Sequence, residues 1–268
     1  MSKKQDNVVR LKEVHDTAVV HPDAEIGKDV KIGPYAIIGE NVKIGDGTEV
    51  GPHAVIKGWT TIGENNEIFN SASIGQEPQD LKFQGEKSFL EIGDNNTFRE
   101  FTTIHRGTEE GGSVTKIGNG NLFMAYSHVA HDCQVANDIV MANSAALAGH
   151  VEVEDSVVIG GLVGVHQFVR IGKMAMVGGD SKVVKDVPPY VLVDGHPAST
   201  NGINAVGLRR NDIEPDVRQK IKEAYRILYR SNLNVSEAIE KMDQELDNSE
   251  MVEHFLRFLR NAQRGICK

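Results

Sequence analysis

The sequence is short of several residue types, and each shortage excludes a class of protein. Two cysteines among 268 residues, Cys133 and Cys267, cannot build a disulfide framework, so a reducing compartment is expected. The formal net charge of −9 lacks the basic excess that a general nucleic-acid binder carries, so no nucleic-acid partner is predicted. Aromatic residues make up only 6%, whereas there are 27 glycines. That balance favours thin, repetitive β-structure over a broad aromatic core.

Long hydrophobic runs are also missing from the sequence. No stretch of 18 consecutive apolar residues occurs, so no membrane span is predicted. Residues 1–14 are polar and charged and lack the apolar core of a secretory signal. The sequence therefore predicts a cytoplasmic protein.

The spacing of the apolar residues fits neither a helix, with its period of 3.6, nor a plain strand, with its period of two. Large apolar residues instead recur at every sixth position, and four positions after each of them, in a second column, stands a residue that is mostly small or β-branched. The first column comprises Val14, Val20, Ile26, Ile32, Ile38, Ile44, Val50, Ile56, Ile62, Ile68, Ile74, Ile92, Phe98, Ile104, Ile117, Phe123, Val129, Val135, Met141, Leu147, Val153, Ile159, Val165, Ile171, Val177 and Val183. A period of six predicts short strands joined by tight corners, stacked coil upon coil.

The six-residue period is interrupted twice and then ends. The offsets between Ile74 and Ile92 and between Ile104 and Ile117 predict loops near 76–91 and 107–116 that leave the stack. Such loops are where function tends to lie.

Beyond Val183 a Pro188-Pro189 pair breaks the pattern, and a helical period begins at Ile213, with Asn211 or Asp212 as its expected cap. We therefore predict a β-helix over 1–190 and a C-terminal helical domain over 191–268.

Residues 18 apart should stack in adjacent coils, which brings several polar side chains together. By this rule His131 lies under Gly149, Gly149 lies under Gln167, and Asp132 lies under His150. The resulting cluster comprises His128, His131, Asp132, Gly149, His150, His166 and Gln167. It holds four of the ten histidines, and an imidazole can take a hydroxyl proton near neutral pH. A glycine N–H one coil away can stabilise an oxyanion, so the cluster favours acyl transfer over surface decoration.

Several motifs occur in a fixed order along nearly the whole chain. They are Pro78-Gln79-Asp80-Leu81-Lys82-Phe83, Thr103-Ile104-His105-Arg106-Gly107-Thr108, His128-Val129-Ala130-His131-Asp132-Cys133, Leu147-Ala148-Gly149-His150, Val165-His166-Gln167-Phe168, Asp186-Val187-Pro188-Pro189-Tyr190, and the segment from Gly202 to Arg210. Together with the hexads they resemble the UDP-N-acetylglucosamine O-acyltransferases, a family of hexapeptide-repeat acyltransferases. The resemblance implies an all-β left-handed parallel β-helix, although the usual crossover rule would predict the opposite hand.

The resemblance also implies an activity and a set of residue roles. A fatty acyl group, expected to be a 3-hydroxyacyl group, would pass from acyl carrier protein to the 3-hydroxyl of UDP-N-acetylglucosamine, in the first step of lipid A biosynthesis. His131 would be the general base, Asp132 would orient it, and Gly149 would supply the oxyanion N–H. Substrate contacts would come from Gln79, Asp80, Lys82, His128, His150, His166, Gln167, Asn204 and Arg210. Gly161 and Gly179 would line an acyl channel, and no cofactor or metal is expected.

The resemblance further implies a homotrimer whose sites lie between neighbouring subunits, as closed cyclic symmetry also favours. Two positions depart from the family: Val206 stands where a glutamate is common, and Asn211 where a further arginine is common. The alternatives are a related N-acyltransferase, an acetyl-CoA-dependent hexapeptide enzyme, and a non-enzymatic β-helix. The residues leave the acyl chain length and the preference for a 3-amino sugar open.

Overall fold

The computed structural model describes residues 14–246 and 249–268. Residues 1–13, which carry most of the segment expected to lack a secretory signal, lie outside this range. In chain order the elements are β1 (Val19–Val20), β2 (Glu25–Ile26), β3 (Lys31–Ile32), β4 (Ile37–Ile38), β5 (Val42–Ile44), β6 (Glu49–Val50), β7 (Val55–Ile56), β8 (Trp59–Ile62), β9 (Glu67–Ile68), β10 (Ser73–Gln76), β11 (Phe89–Ile92), β12 (Thr97–Phe98), β13 (Thr103–His105), a 3-10 turn (Glu109–Gly111), β14 (Val114–Ile117), β15 (Leu122–Phe123), β16 (His128–Val129), β17 (Gln134–Val135), β18 (Val140–Met141), β19 (Ala146–Leu147), β20 (Glu152–Val153), β21 (Val158–Ile159), β22 (Gly164–Val165), β23 (Arg170–Ile171), β24 (Met176–Val177), β25 (Lys182–Val183), β26 (Val191–Gly195), β27 (Ala198–Ile203), α1 (Ala205–Arg210), α2 (Pro215–Arg230), α3 (Val235–Glu245) and α4 (Glu250–Arg260).

The strands form three parallel sheets that are the faces of a triangular prism. Face 1 begins with β1, β4 and β7, face 2 with β2, β5 and β8, and face 3 with β3, β6 and β9, and each face continues with every third strand as far as β25. Outside the interruptions, paired residues are 18 apart, as in Val19↔Ile37 and Ala146↔Gly164. The predicted left-handed parallel β-helix is therefore confirmed.

The six-residue period has a direct physical cause in this prism. The large apolar residue of each hexad points into the prism, so Ile56, Ile74 and Val129 are fully buried, and Phe98 stacks on Phe123 with ring centroids 5.0 Å apart. Most corners turn through a residue with positive φ, and most of these residues are not glycine. Hydrogen bonds between successive coils hold those corners, for example from the His150 N–H to the His131 carbonyl at 3.0 Å.

The three edges of the prism have the same geometry and different residues. The loop edge joins face 1 to face 2 through segments that include 77–88, 106–113, 130–133, 148–151 and 166–169. The asparagine edge joins face 2 to face 3 through corners that include 63–66, 93–96, 118–121, 136–139 and 172–175. The aromatic edge joins face 3 to face 1 through corners that include 33–36, 99–102, 124–127, 160–163 and 178–181.

Both interruptions of the hexad pattern leave the prism at the loop edge, in consecutive coils. β10 lies on face 1 between β7 and β13, and β11 lies on face 2 between β8 and β14. The 18-residue offset after Ile74 therefore omits no coil, because the extra residues form a loop at one corner. The second loop follows one coil later and contains the 3-10 turn.

The chain beyond the last coil first adds two strands and then turns helical. β26 continues face 3 beside β24, and β27 returns antiparallel to it. Helix α2 begins at Pro215 with Glu214 as N-cap, so the expected cap at Asn211 or Asp212 was wrong: proline at the first helical position sets the start. Near the C-terminus, Ile266 forms a parallel bridge with Asp186, which follows β25 in the chain.

None of the helices in the described part of the chain is long and apolar enough to cross a membrane.

Candidate active site

The centre of the site is a histidine–aspartate pair on one corner of the loop edge. Asp132 occupies the positive-φ position of corner 130–133, with φ of 61°, which turns its carboxylate inward, where the side chain is fully buried. The Nδ1 atom of His131 lies 2.7 Å from Asp132 Oδ2. An ionised carboxylate can only accept, so Nδ1 carries the proton and Nε2 is left with its lone pair. This tautomer is the one that a general base needs.

The Asp132 carboxylate is held by the second loop as well as by His131. The Thr108 N–H donates to Oδ1 at 2.8 Å, and the Thr108 hydroxyl donates to Oδ2 at 2.7 Å. The Asp132 N–H donates to the Thr115 hydroxyl at 2.8 Å. Burial disfavours the charged form, but the hydrogen bonds from His131 and Thr108 outweigh it and lower the pKa of Asp132. Asp132 is therefore an anion at neutral pH.

Gly149 stacks directly on the imidazole of His131. A Cβ at position 149 would lie 2.6 Å from His131 Cε1 and 2.8 Å from Nε2, so any side chain there would displace the ring. The Gly149 N–H donates to no carbonyl within the part of the chain that the structure describes. A backbone donor thus lies beside the basic nitrogen, as the stacking rule predicts.

Two aromatic rings extend this column by two coils. The His150 ring meets His131 edge-on at 5.1 Å and stacks on Phe168 at 4.4 Å, and His150 Nε2 lies 3.8 Å from Asp132 Oδ2. Burial lowers the pKa of His150 more than the Asp132 charge raises it, so the ring is neutral. His166 and Gln167 are exposed on the next corner, where the His166 Nδ1 lies 3.1 Å from the Gln167 carbonyl oxygen.

Two further histidines lie beside the pair. His128, on face 1, has its Nδ1 2.7 Å from the Thr103 hydroxyl, and its ring meets His105 edge-on at 4.9 Å. Burial and the neighbouring His131 lower the pKa of His128. Burial, then the charges of His128, His131 and Arg106, lower the pKa of His105 to about 4. The site therefore presents a row of neutral imidazoles.

The two loops are tied to each other next to this row. Lys82 Nζ lies 2.8 Å from Glu110 Oε2. Arg106 Nη1, on the second loop, donates to the carbonyl of Gly75 on β10 at 2.7 Å, just before the first loop begins. Asp80 is half-buried and accepts from the Lys82 N–H at 3.0 Å, whereas Gln79 is exposed. The first loop is thus joined through Lys82 to the second loop, which holds Asp132.

The remaining residues expected in the site lie on other edges of the same chain. Asn204 is buried near the asparagine edge, where its amide donates to the Met174 carbonyl at 2.9 Å and its oxygen caps α1. Arg210 is exposed at the end of that helix. Gly161 and Gly179 stack on the aromatic edge, since a Cβ on Gly179 would meet the Gly161 carbonyl oxygen at 3.3 Å. One chain therefore does not bring these four residues to His131.

One group in the described residues has the composition of a metal site. Ligand atoms of His131, Asp132 and His150 lie within 4.8 Å of one another. The two Asp132 oxygens already accept hydrogen bonds from Thr108 and from His131, so the ligand atoms of this group are engaged with protein partners. The arrangement favours proton transfer rather than metal binding.

Comparison with known proteins identifies the family. The family model described as "Udp N-acetylglucosamine O-acyltransferase; Domain 2" matches residues 186–267, and the bacterial transferase hexapeptide model matches 13–45 and 23–58. The acyl-(acyl-carrier-protein)–UDP-N-acetylglucosamine O-acyltransferase of Thiobacillus denitrificans is 51% identical, covering 95% of this chain and 99% of that protein. The proteins of that name from Anaeromyxobacter dehalogenans are 50% identical over the same shares. The chain belongs to the UDP-N-acetylglucosamine O-acyltransferase family.

Solved structures of this family superpose on the whole molecule. The UDP-N-acetylglucosamine O-acyltransferase of Moraxella catarrhalis gives a TM-score of 0.93 at 42% identity, covering 96% of this chain and all of that one. The UDP-N-acetylglucosamine acyltransferase of Arabidopsis gives 0.82 at 38% identity, covering 95% and 100%. The predicted family, fold and enzyme class are confirmed, so the non-enzymatic alternative is rejected.

Several residues that contact the candidate site were not predicted from the sequence. Thr103, Thr108 and Thr115 hold the functional side chains, and His105 lies beside His128. Three of them belong to the motif from Thr103 to Thr108, which was a usable signal. The hexad rule could not place Thr108 because it lies in the loop, outside any stacked column. Of the two departures, Val206 is exposed on α1 and Asn211 caps its C-terminus.

Proposed function

We propose that the protein transfers an acyl group from acyl carrier protein to the 3-hydroxyl of UDP-N-acetylglucosamine, with His131 as general base. The observation that carries the proposal is the buried Asp132 carboxylate 2.7 Å from His131 Nδ1, with the Gly149 backbone stacked on the ring. The names of the relatives include both substrates, which supports the choice of donor and acceptor.

The reaction follows from the state of this pair. His131 Nε2 takes the proton of the sugar 3-hydroxyl while the oxygen attacks the carbonyl carbon of the acyl thioester. Negative charge develops on the carbonyl oxygen, and the Gly149 N–H donates to it. The carbon–sulfur bond then breaks, and the imidazolium returns its proton to the departing sulfur. Asp132 stays ionised and stabilises the imidazolium between the two transfers.

The polar residues around the pair suit a nucleotide sugar. Lys82, Asp80 and Gln79 lie on the first loop, which Lys82 joins to the second loop through Glu110, and we assign them to the sugar. The other assigned contacts are His128, His150, His166 and Gln167, whose rings and amide lie along the loop edge or on face 1. The neutral imidazoles of His128 and His150 can both donate to and accept from sugar hydroxyls, which supports this role.

The full site is proposed to form between two copies of the chain in a homotrimer. His131 lies on the loop edge, whereas the acyl-channel residues Gly161 and Gly179 lie on the aromatic edge, and Asn204 and Arg210 lie near the third edge. In one prism these edges are separated by whole faces. A neighbouring copy that presents its own edge to His131 would complete the site, and closed cyclic symmetry would give three equal sites.

Exposed apolar side chains support this packing. On the aromatic edge, Phe101 stacks on Tyr126 with ring centroids 4.9 Å apart while Tyr126 stays 60% exposed, and Leu162 is 67% exposed. Leu81 at the tip of the first loop is fully exposed. Contiguous exposed apolar residues mark interaction surfaces. A second copy of the chain is the proposed partner, because every copy carries the same three edges.

Arg210 is proposed to bind the diphosphate, because a guanidinium can hold phosphate oxygens bidentately. Asn204 already uses both amide atoms inside the chain, so its proposed part is to fix α1 and thereby Arg210. The cytoplasm is the proposed location, since Cys133 and Cys267 are both buried free thiols, as a reducing compartment allows.

A panel of acyl donors tests the proposal on the pure protein. Acyl carrier protein thioesters of several chain lengths, with and without a 3-hydroxyl, are compared with the matching coenzyme A thioesters. UDP-N-acetylglucosamine and its 3-amino analogue are the acceptors. We expect transfer from the carrier protein to oxygen, with one preferred chain length. Transfer from acetyl-CoA alone, or to the amino analogue alone, would favour the alternative hexapeptide enzymes instead.

A further inference from the structure

The second loop, residues 106–113, connects β13 to β14, where the regular repeat would have one short corner. Its first part leads into the 3-10 turn, and Thr108 is the N-cap residue of that turn. Thr108 is 3% exposed, so the loop presents this side chain to the prism rather than to solvent. The loop therefore brings a buried threonine to a position that the hexads alone cannot supply.

Thr108 holds both oxygens of the Asp132 carboxylate, from 24 residues away in the sequence. Its N–H reaches Oδ1 at 2.8 Å, and its hydroxyl reaches Oδ2 at 2.7 Å. The hydroxyl also accepts from the Gly111 N–H at 3.3 Å. Because an ionised carboxylate offers no proton, the hydroxyl hydrogen must point to Oδ2, and the Gly111 contact fixes the lone pair. The hydroxyl thus has one orientation.

The rest of the turn is shaped around the same carboxylate. A Cβ at Gly111 would overlap the Asp132 carboxyl group, so only glycine allows the turn to approach this closely. Asp132 Oδ2 accepts from Thr108 and from His131 Nδ1 together. A carboxylate bound on both oxygens cannot rotate about its final bond, and so its direction toward His131 is fixed.

We propose that Thr108 is a positioning residue for the reaction: it fixes the Asp132 carboxylate so that His131 keeps its proton on Nδ1 and its lone pair on Nε2. This inference rests on the proposed function, because it gives Nε2 the role of the base. It also gives the second loop a task that is separate from substrate binding. Loss of the hydroxyl would free Oδ2 to turn away and let the imidazole change tautomer.

The competing interpretation is that Thr108 only anchors the loop. Three variants separate the two interpretations. Thr108→Val removes the hydroxyl and keeps the shape and the backbone N–H, whereas Thr108→Ser keeps the hydroxyl. Thr102→Val is the matched control, because Thr102 is equally buried in the preceding corner of the aromatic edge, where its hydroxyl makes only 3.5 Å contacts.

The first measurement is steady-state acyl transfer. A hydrogen bond to a charged group contributes enough that Thr108→Val should lower kcat about 10- to 100-fold with KM for the sugar nucleotide little changed. Thr108→Ser should recover most of the loss, and Thr102→Val should behave as wild type. A raised KM with unchanged kcat would overturn the proposal, since it would make Thr108 an anchor of the substrate loop.

The second measurement does not depend on activity. Nitrogen-15 NMR of histidine-labelled full-length protein, with His131→Gln used to assign the signals, reports which ring nitrogen of His131 carries the proton. The wild type and Thr108→Ser should show the Nδ1–H tautomer, and Thr108→Val should show a mixture. An unchanged tautomer in folded Thr108→Val overturns the inference. If the wild type transfers no acyl group, the proposed function fails while this measurement still decides the role of Thr108.

Discussion

The loop edge and the asparagine edge of the prism are built from the same type of corner, but their polar side chains serve opposite purposes. On the asparagine edge, Asn66, Asn96 and Asn121 are buried, and each amide hydrogen-bonds to the next, for instance from Asn121 Nδ2 to Asn96 Oδ1 at 2.9 Å. On the loop edge, His131 is partly exposed and its Nε2 has Gly149 beside it. Stacked polar side chains satisfy one another on one edge and stay available on the other.

The difference shows how a repetitive fold keeps stability and chemistry apart. An asparagine offers donors and acceptors that match its own kind one coil away, so a ladder of them satisfies every buried group. A histidine, an aspartate and a glycine in adjacent coils do not match in this way. These three residues therefore need partners of other kinds: Thr108 and Thr115 for Asp132, and a substrate for His131.

The largest expected effect comes from the loop edge. His131→Ala should lower kcat about 10²- to 10⁴-fold, because a general base acts mainly in the transition state. The melting temperature and the state of assembly should remain those of the wild type. His15→Ala is the control, since His15 lies exposed at the first coil, far from the loops. Near-normal turnover of the pure, folded His131→Ala protein would remove this residue from the role of base.

The asparagine edge should respond in stability and not in turnover. Asn96→Ala leaves the Asn121 N–H and amide without their acceptor, so it should lower the free energy of unfolding by roughly 2–5 kcal/mol. Asn119 belongs to an outer ladder that water can replace, and Asn119→Ala should cost only about 1 kcal/mol. Urea unfolding measures both. Equal losses from the two variants would show that burial of the ladder does not matter.

The difference between stacked columns and loops also explains which features the sequence could predict. The hexad column placed the inward residues, and the 18-residue rule placed Gly149 on His131 and His150 above Asp132, because both depend on local repetition. Thr108 could not be placed, since its contact with Asp132 depends on the path of a loop. The 18-residue rule also could not predict where Gly161 and Asn204 lie relative to His131. Stacking relates residues along one edge and says nothing about residues on another edge.

A smaller effect is expected in the pH dependence of stability. The pKa of His105 falls to about 4 in the folded chain, whereas an unfolded histidine binds its proton near pH 6.5. Between these values the unfolded chain holds the extra proton, so stability should fall as the pH drops from about 6.5 to 4. The lowered pKa values of His128 and His150 act in the same direction.

Urea unfolding at pH 7 and pH 5 measures this effect. His105→Asn should reduce the difference between the two pH values, whatever it costs in packing at both. His15→Asn, at an exposed position, is the matched control and should leave the difference unchanged. A pH dependence that is the same in His105→Asn as in the wild type would contradict the assignment.

The smallest effect is expected on the aromatic edge, as a change of preference rather than a loss. Gly179→Met should block one level of the proposed acyl channel, and each stacked coil advances about 4.8 Å. Each methylene that loses its buried place weakens binding by about 0.8 kcal/mol, or roughly fourfold, so shorter acyl donors should become preferred. Gly164→Met, on face 1 where a Cβ would meet open space, is the control. An unchanged donor profile in active Gly179→Met protein would move the channel elsewhere.

The most direct test of the account is whether one chain's loop edge works with another chain's aromatic edge. His131→Ala chains and chains carrying both Gly161→Trp and Gly179→Trp should each be inactive for the preferred long-chain donor. In every mixed trimer one of the three interfaces pairs an intact loop edge with an intact aromatic edge, so the isolated mixed trimers should show about a third of wild-type activity. Co-expression with two affinity tags isolates those trimers. Activity absent from every mixture of folded chains would contradict a site shared between copies.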